Sequence, residues 1–387
     1  ITPSKKSTSL KRKEKKRMIK FHHTLLFLLV RSTQSRNIAI TSDGIALATE
    51  ARGSQRLITY DALDNQETAH SFGSSLPNNV NRFDDVAVDP NSRARDSTIA
   101  FAIDANSGIV CSFNLRERNN SRGVSLDHIG CTTQGVNTSP FVGIAAMGGT
   151  VVVSGGTGGA SVFTYDEDSG VLSDRATIRN RSLGDIGYPD VTLVTPEITA
   201  FSADVDQGFG VVVASINTDS KSLTRDRVFL TEDSVEFNFI ILPANFPLTS
   251  SMYFQEGSGK NYLYVANGGI TVQDPQTNGK PTVVDVAPNG FKALTVDVNS
   301  ERAVAVFGGV IQRRRQTSSV YIVLDISDPL DPELVNMEVV SRRSRGGRIT
   351  GVASAGQNIL YVTENSASIG HASLQTIDKS DKIVSFA

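Results

Sequence analysis

The feature that most constrains this chain is an internal repeat. Seven segments share one form: a short apolar strand, a tight polar turn, a second β-rich strand, then small or polar residues. They begin at residues 38, 86, 142, 198, 252, 294 and 349, and so recur every 42 to 56 residues. Examples are Ile38-Ala-Ile-Thr-Ser-Asp-Gly-Ile-Ala-Leu, Val86-Ala-Val-Asp-Pro leading to Thr98-Ile-Ala-Phe-Ala-Ile, and Leu294-Thr-Val-Asp leading to Ala303-Val-Ala-Val. The fourth repeat reads as Ile198-Thr-Ala-Phe leading to Gly210-Val-Val-Val. No stretch shows a sustained helical spacing of apolar residues.

A third strand follows in most repeats and closes on an apolar or aromatic residue and an Asp. Tyr60-Asp61, Tyr165-Asp166, Leu324-Asp325 and Ile377-Asp378 fit, with Gln273-Asp274 and Phe113-Asn114 as looser variants. The Asp suits the following turn, because its carboxylate accepts hydrogen bonds from backbone amides two residues on. A fourth strand, such as Val124-Ser-Leu-Asp-His-Ile129 or Lys382-Ile-Val-Ser-Phe386, ends the unit. One four-stranded sheet cannot bury both of its faces, whereas seven stacked about an axis can. The expectation is an all-β chain, a seven-bladed β-propeller of four-stranded antiparallel blades, with residues 36–387 as one domain.

Two segments, Tyr264-Val-Ala-Asn267 and Tyr361-Val-Thr-Glu-Asn365, resemble the tyrosine-valine-threonine-asparagine (YVTN) repeat of lactonase-like seven-bladed propellers. Val320-Tyr-Ile-Val-Leu-Asp-Ile-Ser-Asp-Pro329 is similar to the related LVIVD repeat of secreted propellers. The likeness covers two or three repeats and specifies fold more than function, since such propellers include lactonases and binding modules. The chain has no Trp, so the signature dipeptide of tryptophan-aspartate (WD40) repeats is absent.

The first 35 residues differ from all that follows. Residues 1–17 form a basic leader with eight Lys or Arg against the single acid Glu14. From Met18 the chain runs through a short apolar core, Leu25-Leu-Phe-Leu-Leu-Val30, to small residues at Thr33 and Ser35. This reads as a secretory signal peptide over 18–35, too short to span a bilayer. The basic run also fits a nuclear-targeting or nucleic-acid-binding tail. Ten of the 38 basic residues and one of the 40 acids lie in this region, leaving 28 and 39 and a formal charge of −11. A secreted domain of that charge opposes nucleic acid, and no anchor or membrane span is expected.

Catalytic groups are sparse. His70, His128 and His371 fall in three different repeats, none at metal-ligand spacing from a partner, and no zinc, phosphate-loop or nucleophile-elbow motif occurs. Gly155-Gly-Thr-Gly-Gly159 lacks a following Lys and helix and reads as an inter-strand loop. No cofactor is expected. Calcium is the one candidate, at the Asp-rich turns Asp104–Gly108, Asp166–Gly170 and Asp204–Gly208, whose residues hairpin turns also prefer.

Cys111 lies on the third strand of the second repeat and Cys131 at the end of its fourth, so the two stand nearly opposite across a hairpin. An oxidising compartment makes them a disulfide; the other reading is two buried thiols. Sequons occur at Asn119, Asn137 and Asn180, about the number chance supplies, and permit glycosylation only.

Arginine is unevenly spread. Arg313, Arg314 and Arg315 fall between the second and third strands of the sixth repeat; Arg342, Arg343, Arg345 and Arg348 fall between its last strand and the seventh repeat. In a propeller these loops share one face. The guanidinium fork suits carboxylate, sulfate or phosphate, so the sector fits an acidic protein or an anionic glycan. The plainer reading is a pair of solvated loops, with Arg342-Arg-Ser-Arg345 as a processing site. The chain thus reads as a secreted binding module; the alternative is a lactonase-like hydrolase working at the central channel.

Overall fold

The structure, a computed structural model, describes residues 34–35, 38–41, 43–50, 54–62, 64, 66–89, 97–117, 123–132, 143–155, 159–178, 187–205, 208–217, 222–230, 238–241, 251–257, 260–266, 270–272, 282–284, 293–298, 303–313, 316–325, 327, 333–341, 349–355, 358–363 and 369–373. Among these the strands form seven sheets, I to VII in chain order. Sheet I holds Gln34–Ser35, Ile38–Ile40, Ile45–Thr49, Arg56–Asp61 and Gln66–Ser71; sheet II holds Asp85–Val88, Thr98–Asp104, Ile109–Glu117 and Val124–Cys131. Sheet III holds Gly143–Met147, Thr150–Gly155, Gly159–Tyr165 and Leu172–Ile178; sheet IV holds Gly187–Thr195, Ile198–Val205, Gly208–Asn217 and Ser222–Leu230. Sheet VI holds Ala293–Val298, Ala303–Arg313, Gln316–Asp325 and Glu333–Ser341, and sheet VII holds Ile349–Ala355, Asn358–Thr363 and Gly370–Ser373. These six sheets are antiparallel throughout.

The apolar runs are continuous rather than alternating where both faces of a sheet are covered, as in sheets I, II, III and VII. In sheet II, Val86, Val88, Ala100, Ala102, Cys111 and Phe113 pack toward sheet I. Their neighbours Ala87, Ile99, Phe101, Ile103 and Val110 pack toward sheet III. Each Val, Ile or Phe among them taken out of water contributes about 1.5–3 kcal/mol, and each Ala less. Similar clusters join sheet III to IV, VI to VII, and VII back to I, where Ala353, Leu360 and Ile369 meet Ile38, Ile40, Ala46 and Ile58. The backbone amide of Ile369 also donates to Glu67 Oε2 at 2.8 Å. The edge strand Gln66–Ser71 is half-buried and exposed by turns, as a sheet margin meeting water should be.

The LVIVD-like segment is the third strand of sheet VI, with Val320 through Leu324 all buried. Of the YVTN-like segments, Tyr264–Ala266 and Tyr361–Thr363 lie on the second strands of sheets V and VII.

Four expectations are corrected. The fourth repeat is framed one strand late: the first strand of sheet IV is Gly187–Thr195, and Ile198–Val205 is the second. The register of that first strand is irregular between Gly187 and Asp190, where the missing amide of Pro189 is tolerated. Sheet V is mixed and five-stranded, in the order Ser251–Gly257, Lys260–Ala266, Asn238–Ile241, Ile270–Val272, Thr282–Val284. Its apolar strand Asn238–Ile241 inserts parallel to Lys260–Ala266, pairing Asn238 with Tyr262 and Ile241 with Val265. Phe113-Asn114 lies mid-strand rather than at a strand end. Sheet I gains Gln34–Ser35, the last two residues of the predicted signal segment, paired with Ile38–Ile40. Ile377-Asp378, Gln273-Asp274 and Lys382–Phe386 lie outside the described residues.

Candidate functional site

Three places hold the polar chemistry. The first is the row of first strands. Those of successive sheets lie side by side from I to VII, and that of sheet VII lies beside that of sheet I. They carry Ile38-Ala-Ile40, Asp85-Val-Ala-Val88, Gly143-Ile-Ala-Ala-Met147, Gly187-Tyr-Pro-Asp-Val-Thr-Leu-Val-Thr195, Ser251-Met-Tyr-Phe-Gln-Glu-Gly257, Ala293-Leu-Thr-Val-Asp-Val298 and Ile349-Thr-Gly-Val-Ala-Ser-Ala355. Gln34–Ser35 adds a further edge and neighbours the first strands of sheets V, VI and VII. Both acids at the ends of the sheet II strand are engaged. Asp85 is buried; its Oδ1 accepts from the Val86 amide at 3.0 Å and its Oδ2 from the Ile144 amide of sheet III at 3.2 Å. Asp89, equally buried, accepts from the Gly148 amide at 3.1 Å and from the Tyr165 hydroxyl. Burial, with the Asp89 charge second, pushes the Tyr165 hydroxyl pKa well up, so it stays a donor. These carboxylates tie sheet II to sheet III.

The second place is the set of Asp turns. Asp166 Oδ1 accepts from the amides of Asp168 at 3.1 Å and Ser169 at 2.7 Å; the Ser169 bonds hold its carboxyl below the usual carboxylate range. Asp325 accepts from the Ser327 amide at 2.8 Å, and Asp61 from the Asp64 amide at 3.3 Å. The buried Asp104 takes amide bonds from Asn81 and Asn106, both at 2.8 Å. The oxygens proposed for calcium at 104 and 166 thus face N–H donors, which suits turns better than a cation. Asp206 and Gln207 of the third such turn lie outside the described residues.

The third place is the outer hairpin of sheet II. Cys111 and Cys131 are register partners with Cα atoms 4.0 Å apart, joined as a disulfide. His128 sits beside them, its Nε2 3.2 Å from Cys131 Sγ and its ring 5.6 Å from that of Phe113. A lone alternating strand would put residues 128 and 131 on opposite faces. Here Gly130 pairs with Ser112 but His128 pairs with Phe113, so Ile129 is an extra residue, a β-bulge. Ile129 turns toward sheet III, reaching Gly170, while His128 and Cys131 share the face toward sheet I. Burial lowers the His128 pKa, and a hydrogen bond with the Gly130 backbone acts the other way. Sequence spacing alone separated His128 from any metal partner; the bulge, which no residue type announces, brings three ligand atoms together.

Of the arginines, Arg313 ends the strand Ala303–Arg313 and pairs with Gln316; Arg314, Arg315, Arg342, Arg343, Arg345 and Arg348 lie outside the described residues. The flanking strand ends are placed. Ser341 pairs with Ser319, three residues from Gln316, so Arg313, Gln316 and Ser341 mark strand ends on the same end of the sixth sheet. The sequons at Asn119, Asn137 and Asn180 also lie outside the described residues.

No protein-family model and no curated protein sequence matches this chain. Among solved structures it is similar to Raptor of Chaetomium thermophilum, at 12% identity over 89% of this chain, with a TM-score of 0.56. This chain spans 28% of that protein's length. The WD40 repeats of RRP9 align over 85% of this chain and 87% of theirs, at 9% identity and a TM-score of 0.45. The β-propeller domain of Vanderwaltozyma polyspora Nup133 aligns over 88% and 83%, at 8% identity and a TM-score of 0.37. Such identities speak for fold alone, and the described strands give it directly: all-β, with sheets II, III, IV and VI four-stranded and antiparallel. Among the described residues no helix is long and apolar enough to cross a membrane.

Proposed function

We propose that this chain is a secreted, closed seven-bladed β-propeller of the YVTN/LVIVD kind that works as a binding module. Its Arg-rich end of sheet VI takes an acidic protein surface or an anionic glycan. The observation that carries the binding reading is the composition of the described first strands. Those of sheets I, II, III and VII are mostly small or aliphatic, with the Asp85 and Asp89 carboxylates among and beside them tied to amides and a hydroxyl, while Asp190, Glu256 and Asp297 are the acids on those of sheets IV, V and VI. Hydrolysis at the channel needs acidic and basic groups aimed at a substrate.

Support for ring closure comes from the cyclic order of the first strands and from the packing of sheet VII on sheet I. Secretion is favoured by the Met18–Ser35 segment and by the Cys111–Cys131 disulfide. Arg313 stands at a strand end that shares one end of sheet VI with Gln316 and Ser341, and with Arg314, Arg315, Arg342, Arg343, Arg345 and Arg348 adjoining those strand ends in sequence, seven guanidinium groups are expected there on a domain of charge −11. A cationic sector on an acidic body recruits anions locally while repelling polyanions elsewhere.

The test is binding of the secreted chain to immobilised polyglutamate and to sulfated and unsulfated glycans, at two ionic strengths. The intact chain is expected to retain one anionic class in a salt-sensitive way. Replacing all seven arginines by Ser is expected to abolish retention while far-ultraviolet circular dichroism stays constant. Equal retention by the substituted chain would sink the ligand assignment.

A further inference from the structure

We propose that Cys111, His128 and Cys131 form a redox-gated metal site, closed as a disulfide when oxidised and open to Zn2+ or a similar soft divalent ion when reduced. The ligand atoms of the three residues lie within 4.8 Å of one another. They come from two paired strands of one hairpin, a firmer mount than a loop. The bulge at Ile129 is what puts imidazole and sulfur on a common face, and bulges commonly re-aim side chains in this way. Cys111 is buried whereas His128 and Cys131 are partly exposed, so an ion has a way in and one side of the set faces solvent.

The dimensions fit. Zinc bonds sulfur at about 2.3 Å and imidazole nitrogen at about 2.0 Å, which sets tetrahedral ligand separations of about 3.5–3.8 Å. His128 Nε2 already stands 3.2 Å from Cys131 Sγ. Only the two sulfurs must part, by side-chain rotation on Cα atoms that are 4.0 Å apart. Three protein ligands leave the fourth position to water. The chemistry balances with a trialkylphosphine as reductant: the disulfide takes up two electrons and two protons as water's oxygen passes to phosphorus. Zn2+ then displaces the two thiol protons and forms two sulfur bonds and one nitrogen bond.

This goes beyond the binding reading and does not depend on it. In an oxidising compartment the disulfide stands; under reducing conditions the same two strands are clipped at the same point by a metal. The hairpin is thus cross-linked in either state.

The test uses the full chain, treated with a trialkylphosphine, desalted anaerobically and titrated with Co2+ as the spectroscopic probe. One equivalent is expected to bind with thiolate-to-cobalt charge-transfer absorption, to be displaced by Zn2+, and to be lost on reoxidation. His128→Ala is expected to weaken binding at least tenfold. His128→Cys, which restores three ligands, is expected to recover it with stronger charge transfer, covering the case in which the Ala variant folds poorly. Absence of charge-transfer absorption in the reduced chain overturns the proposal. So does binding that His128→Ala leaves unchanged, or equal binding by the oxidised chain.

Discussion

The two ends of sheet II are held by different means. Its first strand, Asp85–Val88, is fixed to the next sheet by buried carboxylates that accept amide and hydroxyl protons from Ile144, Gly148 and Tyr165. Its last strand, Val124–Cys131, is fixed within its own sheet by a covalent bond to Cys111. The contrast follows from surroundings. The inner strand is buried on both faces, where a hydrogen bond to an ionised group is strong and an orphaned one costly. The outer strand has no further strand beyond it and meets water, where a hydrogen bond gains little and a covalent link is independent of solvent.

This contrast can be broken at several points. Asp89→Ala orphans the Gly148 amide and the Tyr165 hydroxyl in a dry site and should destabilise the chain by about 2–6 kcal/mol in urea unfolding, at about 1–3 kcal/mol for each donor. Tyr165→Phe should cost less, because the Gly148 bond survives. Opening the disulfide by paired Cys111→Ala and Cys131→Ala releases a 20-residue separation and should cost about 3 kcal/mol. If it costs more than Asp89→Ala, the outer end is the stronger anchor and the contrast inverts.

Gly170→Ala probes where the two sheets touch at the outer end. Gly170 has φ +72°, and a Cβ there would stand 2.5 Å from Ile129 Cδ1 and 3.1 Å from Ile99 Cδ1. The combined strain and overlap should cost about 2 kcal/mol. A near-neutral result would show that Ile129 can swing away and that the bulge is loosely seated.

The smallest effect is a pH dependence. Because burial lowers the His128 pKa, the unfolded chain binds the proton more readily than the folded one. Stability should therefore fall as pH drops from the unfolded pKa near 6.5 toward the folded value, and level off below it. His128→Gln should flatten the thermal-midpoint profile in that window. An unchanged profile would assign the dependence to another group.

Much of the fold was legible because its cause is local and repeated. Strand pairs recur with polar turns between them, and Asp61, Asp166 and Asp325 close the third strands by taking turn amides. Cys111 and Cys131 could be placed opposite each other by counting from the hairpin's centre, since cross-strand register follows sequence arithmetic. The missed features break that arithmetic. Sheet IV begins on a stretch that holds Pro189, and sheet V admits Asn238–Ile241 from before its own first strand, a long-range parallel pairing with no local signal. The bulge at Ile129 shifts parity by one residue, so His128 reads as facing away from the cysteine it touches. The arginines were visible as a cluster read onto one face; among the described residues only Arg313 and the strand ends at Gln316 and Ser341 bear on that reading.

The bond from Ile369 to Glu67 joins residues 302 positions apart, within a seam whose apolar half belongs to Ile38, Ile40 and Ile58. A ribosome delivers sheet I well before sheet VII, its covering partner. Between the two that apolar face has nothing of its own to lie against, so the growing chain carries a sticky surface until sheet VII emerges. Truncations that stop short of sheet VII should accordingly be captured by holdase chaperones rather than folding as smaller, self-sufficient arrays.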